Sequence, residues 1–210
     1  MKPLSPATRV VAQFVFAFGC VFGGLALPSP GIGAAYTRAH AALGNALVAG
    51  ASFEHGVTLY FDAADADLAQ HPWQLTLQVR DPARLEQPVL VPMDLRTLLY
   101  LPLVAFVALA LAAPLGSAWR NARVLGQGLL ILQPALLALT ALPLLSFLGG
   151  TGPVRAFRLA PPLHVIFQTV YRALVAPPGM MYALPLLLWW ALVARLEPAR
   201  IADSAAPSLT

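Results

Sequence analysis

The chain has 210 residues, 59% of them hydrophobic and 10% charged, with a mean hydropathy of +0.72. Soluble domains carry roughly 25% charged residues, so the composition excludes an ordinary soluble domain and points to an integral membrane protein. The net charge of +4 comes from basic residues spread along the chain, which excludes the clustered patch that nucleic-acid binding needs.

Four apolar runs, at 10–27, 98–115, 124–148 and 174–194, approach the length of about 20 residues that crosses a hydrocarbon core. The first has basic residues Lys2 and Arg9 ahead of it but is longer than the apolar core of a cleavable signal, so it reads as an uncleaved anchor. Cys20, the only cysteine, lies inside it, which excludes an intramolecular disulfide and a cysteine zinc cluster. Ala17-Phe18-Gly19-Cys20 fits a lipoprotein cleavage box poorly, and Cys20 reads as a packing residue. Gly19-x-x-x-Gly23 matches the small-residue pattern of packed membrane helices.

Pro28-Ser29-Pro30-Gly31 then breaks the helix. A second helical pattern covers 34–48, with Tyr36, Leu43 and Leu47 on one side and Arg38, His40 and Asn45 elsewhere. It is expected along the membrane surface or under the sheet that follows.

Three segments alternate with period two: 57–62, 73–80 and 89–93. The second is the cleanest strand, and Pro88 and Pro92 place the third at an edge. The connections 63–72 and 81–87 carry turn-forming residues. Seven of the nine acidic residues fall between Glu54 and Asp94, and solvating the open sheet face is the role expected of them. So small a sheet buries too little to stand alone. Its apolar face of Trp73, Leu75, Leu77 and Val79 therefore needs the 34–48 helix, a membrane helix or a partner protein, and is the candidate partner-facing surface.

Asp94-Leu95-Arg96 leads directly into the second run, which forms a hairpin with the third around 116–123. A loop at 149–179 opens with Gly149-Gly150-Thr151-Gly152-Pro153 and holds a predicted helix over 162–175. Pro162 suits its first turn. His164, Gln168 and Arg172 share one face at i, i+4 and i+8. They are the candidate partner-binding or anion-binding residues, against the plainer reading of an interfacial helix wetting its polar face. Pro177, Pro178 and Pro185 blur the start of the fourth run, and the tail from 202 is expected to be unstructured.

Metal ligation has weaker support. Asp62, Asp65 and Asp67 offer three oxygens for a hard cation but lack the glycine and terminal glutamate of a calcium loop. Glu54, His55 and His71 flank that turn without zinc-ligand spacing. No nucleophile stands in a catalytic context, the glycine loop has no Walker lysine, and no cofactor is implied.

Basic residues in the N-terminal tail, the 116–123 loop and the C-terminal tail place these on the cytoplasmic side. Arg155, Arg158 and Arg172 fall outside and run against that bias. The expected architecture is an α-helical polytopic membrane protein of four spans with a small extracytoplasmic α+β domain. Its segments are 1–28, 29–96, 97–148, 149–179 and 180–210.

The order of Leu27-Pro28-Ser29-Pro30-Gly31-Ile32-Gly33-Ala34-Ala35-Tyr36, Gly44-Asn45-Ala46-Leu47, Met93-Asp94-Leu95-Arg96-Thr97-Leu98-Leu99-Tyr100-Leu101-Pro102-Leu103 and Ala108-Leu109-Ala110-Leu111-Ala112-Ala113-Pro114-Leu115 resembles small membrane proteins associated with bacterial exosortases, including the exosortase H-associated type. The resemblance implies a bacterial inner-membrane accessory protein beside a sorting peptidase or an export pathway, with no catalytic residues of its own. Cys20 does not sit in the Cys-Arg-His context of the peptidase, and the Pro-Glu-Pro signature of a sorted substrate is missing. The expected function is a non-enzymatic accessory or scaffold subunit with membrane lipids and a membrane protein as partners. The alternative is a membrane enzyme or transporter acting on an anionic or lipid substrate through His164, Gln168 and Arg172.

Overall fold

A computed structural model describes residues 5–27, 30–49, 51, 53, 56–82, 87–113, 117–149, 156–157, 160–175 and 180–204. Among them are seven α-helices and a three-stranded antiparallel sheet in the order β1-β2-β3. The chain divides into two compact units, and the helix α5 (Ala118–Gly149) contributes to both.

The first unit holds Met1–Leu27, Leu101–Ala135 and Gly179–Thr210. Its helices are α1 (Pro6–Ala26), α4 (Leu101–Ala112), the first half of α5, and α7 (Met180–Ser204). Ser5 starts α1 by accepting the Thr8 N–H on its hydroxyl at 3.2 Å, with proline in the first turn. Helix α4 is apolar all round and is the buried centre: Val104, Ala105, Phe106, Ala108, Leu109 and Ala110 are all covered, and α1 and α7 pack on it. Helix α5 meets it through Gly128, where an added Cβ would lie 1.8 Å from the Phe106 ring. Phe14, Phe18 and Phe22 stack along α1 at i+4 spacing, and Phe14 also stacks on Trp189 of α7 at 6.0 Å. In the fourth apolar run α7 begins at Met180 and Pro185 is buried within it, while Pro177 and Pro178 lie outside the described residues.

The second unit, Pro28–Tyr100 and Leu136–Pro178, carries the sheet. Strands β1 (Thr58–Asp62), β2 (Gln74–Arg80) and β3 (Val89–Asp94) fall on the three alternating segments. In β2 the alternation becomes burial of Leu75, Leu77 and Val79, with Gln74, Thr76 and Gln78 half-buried on the other face. Pro92 lies in β3, an edge strand, where its missing N–H costs no ladder bond. The stretch expected as a turn-bearing connection contains a short helix, α3 (Asp65–Gln70).

Helix α2 (Pro30–Val48) begins four residues before its apolar pattern and lies on the sheet. The contacting stripe is small: Gly33, Thr37, Ala41 and Gly44, at i, i+4, i+8 and i+11. A Cβ on Gly33 would stand 2.7 Å from the Trp73 indole, and one on Gly44 would stand 2.6 Å from the Phe61 ring. Of the apolar residues that mark this helix in the sequence, Tyr36 is half-buried beside Trp73, whereas Leu43 and Leu47 are 43% and 74% exposed.

Under the sheet, Val57, Leu77, Val79, Leu148 and Ala156 form a buried cluster, with Leu144, Phe147 and Phe157 packed around it. The Ala156 N–H donates to the Leu148 carbonyl at 2.9 Å. The sheet is thus covered from within the chain by α2 and the last turns of α5.

Candidate functional site

A single residue, Leu95, separates β3 from a π-helical turn at Arg96–Tyr100 that runs on into α4. Asp94 organises this junction. Its carboxylate accepts the Arg96 N–H at 3.0 Å and the Thr97 hydroxyl at 2.6 Å, which caps the new helix. The Leu95 N–H donates to the Trp73 carbonyl at 3.0 Å and ties the junction to β2.

Beside the junction lies a cleft of about 460 Å³ lined by Gln70, His71, Pro72, Trp73, Gln74, Pro92, Met93, Asp94 and Arg96. Its wall continues into an aromatic cluster. Trp73 lies 4.5 Å from Tyr100 and 6.0 Å from Tyr36, and Tyr36 lies 4.2 Å from His40. Such tilted ring pairs are worth about 0.5–1.5 kcal/mol each beyond area burial. The Trp73 indole N–H is buried with no hydrogen-bond partner among the described residues. Thr37 fixes the start of β2 from α2, its hydroxyl donating to the Pro72 carbonyl at 2.9 Å. The Asp94 oxygens already serve the helix cap, so the cleft is a structured junction with His71 and Gln74 at its rim.

Helix α6 (Pro161–Val170) and the π-helical turn Tyr171–Val175 realise the predicted 162–175 helix. Of the polar stripe, His164 and Gln168 are brought together, their Nε2 atoms 3.0 Å apart. The Gln168 amide nitrogen donates to the imidazole Nε2, and His164 Nδ1 is buried with no hydrogen-bond partner among the described residues. Arg172 lies in the π-helical turn, exposed. No residue of α6 is buried, and Leu163, Val165 and Ile166 are 45%, 61% and 53% exposed.

The expected partner-facing sheet residues need correction. Trp73, Leu75, Leu77 and Val79 are 7%, 3%, 0% and 0% exposed, because α2 and the end of α5 supply the neighbour that the sequence left open. The acids, too, do more than wet the open face. Asp62 accepts from Gln78 Nε2 at 2.7 Å, Asp94 caps a helix, and Asp81 is buried at 1% exposure.

Among the described residues no group of three His, Cys, Asp or Glu is placed to hold a metal ion. The side chains of Asp65 and Asp67, and all of Glu54 and His55, lie outside the described residues. Cys20 is exposed on α1, and a Cβ on Gly19 or Gly23 would meet nothing within 4 Å.

Sequence reasoning missed Asn45. Its amide donates to the Phe61 carbonyl at 2.9 Å and its oxygen accepts the Phe61 N–H at 2.7 Å, so one side chain pairs both backbone groups of Phe61 on the free edge of β1. The signal was a lone carboxamide in an apolar helix, which needs a partner when buried. No known protein family, characterised protein or solved structure matches this chain, so its chemistry is read from this geometry alone.

Proposed function

We propose that this chain is a non-enzymatic accessory or scaffold subunit of a bacterial inner-membrane complex, working beside a protein-sorting or export activity of the exosortase type. In this reading α1, the helix 96–112, α5 and the apolar 181–194 part of α7 cross the bilayer. The sheet and α2 stand on the extracytoplasmic side, where the last turns of α5 emerge, and both termini are cytoplasmic.

The observation that carries the reading is helix α1. From Thr8 to Ala26 it is apolar, and none of its residues is buried by the rest of the chain. Val11 is 61%, Val15 59% and Phe16 74% exposed. A contiguous apolar surface of this kind marks a membrane or protein interface. Helix α5 is also long and apolar enough to span. The helices Arg96–Ala112 and Met181–Arg195 are apolar but shorter, and their place in the bilayer rests on packing with α1. The open Gly19 and Gly23 suit close approach of a helix from another chain, and α6 offers a second uncovered face.

Affinity purification from native membranes in mild detergent tests the proposal. A stoichiometric membrane-protein partner identified as a sorting peptidase or export component is the expected result; a monodisperse lone chain would overturn it. Substituting Arg172→Ala separates this reading from an enzyme or transporter. Lost assembly supports the scaffold, whereas an intact assembly with lost sorting activity supports chemistry at α6.

A further inference from the structure

We propose that the second unit holds a binding pocket for the acyl chain of a bilayer lipid, between α2, the underside of the sheet and residues 137–144 of α5. A cavity of about 150 Å³ opens there. Leu43, Leu75, Leu99, Leu137, Ala141 and Leu144 line it, and among the described residues its only polar liners are His40 and Thr140.

Both polar groups bond to carbonyls of their own helices. His40 Nδ1 lies 2.8 Å from the Tyr36 carbonyl, and the Thr140 hydroxyl donates to the Leu137 carbonyl at 2.9 Å. A buried water needs two to four polar partners, whereas an apolar cavity of about this size stays dry and takes up an apolar molecule such as benzene. The chemistry of the site is therefore that of a hydrocarbon segment. Lined mainly by leucine side chains, it fits a flexible polymethylene chain end.

Two further observations choose the lipid as the source. The 137–144 wall belongs to a helix long and apolar enough to span a bilayer, so lipid is the hydrocarbon within reach. The rim is apolar as well: Leu43 is 43% and Leu47 74% exposed, an arrangement suited to a mouth opening into lipid. Leu43 and Leu47, which mark α2 in the sequence, thus form the lip of the pocket, while Gly44 and Asn45 hold the helix to the sheet. The inference rests on the membrane reading of the preceding subsection.

The test uses the full chain in vesicles of phosphatidylcholine and phosphatidylglycerol doped with a phospholipid bearing a diazirine at its acyl terminus. After irradiation, labelled residues are mapped by mass spectrometry. Label is expected on the pocket lining and, separately, on the exposed α1 face at Val11 and Phe16. Ala141→Phe, which fills the cavity, is expected to cut pocket labelling several-fold with α1 labelling unchanged. Labelled α1 with an unlabelled pocket, or pocket labelling unchanged in Ala141→Phe, overturns the pocket and leaves the membrane reading standing. Absence of label at both places overturns the membrane reading itself. Should Ala141→Phe misfold, the wild-type map decides: pocket labelling no higher than that of Thr58 and Tyr60 on the open sheet face overturns the inference.

Discussion

At the residue scale, two positions in the sheet unit test different forces. Asn45 supplies both a donor and an acceptor to Phe61, and losing both leaves backbone groups at the sheet edge without partners. The cost of leaving such a buried group unmade is about 1–3 kcal/mol. Asn45→Ala should therefore destabilise the purified chain by an amount in that range, read as a lower thermal midpoint. Asn45→Asp keeps the acceptor for the Phe61 N–H but sets an anion against its carbonyl, so it should be no better than alanine despite matching asparagine in size. An aspartate variant as stable as wild type would show that the pair contributes little. Leu77 is 0% exposed at the centre of the buried cluster. Leu77→Ala removes packed volume that its neighbours cannot refill, at about 2–5 kcal/mol, and circular dichroism during heating measures it. An unchanged midpoint would mean that the sheet face is not a load on the stability of this unit.

At the element scale, small residues decide where helices meet. Gly128 lets α5 reach the Phe106 ring, and Phe106 is itself 0% exposed with no room to retreat. Gly128→Ala should destabilise the helix assembly by about 1–3 kcal/mol through overpacking, although alanine raises helix propensity by about 1 kcal/mol. A gain in detergent stability would show that propensity wins and the packing is loose. The same physics explains what the sequence concealed. Period-two alternation exposed all three strands and the Pro92 edge, since those signals are local. Hydrophobic periodicity also found α2 but not the stripe that meets the sheet, because Gly33, Thr37, Ala41 and Gly44 carry little hydropathy while making the contact. The neighbour of Leu77 and Val79 was illegible for a different reason: Leu148 and Ala156 lie some seventy residues away in sequence. The His164–Gln168 pair was legible from i+4 spacing. Asp94 was legible as a junction residue, and only its hydrogen bonds to Arg96 and Thr97 revealed a cap.

For the whole molecule, the question is which solvent the uncovered apolar faces meet. Val15 of α1 is 59% exposed and Tyr60 on the open sheet face is 55% exposed, so neither is held by the packed core. In water alone, a lysine at either position would be nearly neutral, since surface substitutions usually stay within about 0.5 kcal/mol. A bilayer separates them. A lysine near the centre of a spanning helix costs about 2.5–3.5 kcal/mol on insertion scales, whereas one on a solvated sheet costs little. Val15→Lys should therefore reduce the carbonate-resistant membrane fraction, and Tyr60→Lys should leave it unchanged. Equal loss in both variants would point to a general folding defect. No loss in either would place the α1 face against water or a displaceable partner, and with it would fall the assignment of α1 to the bilayer. The pair is informative because the two side chains have similar exposure, one on the apolar helix α1 and the other on the open sheet face.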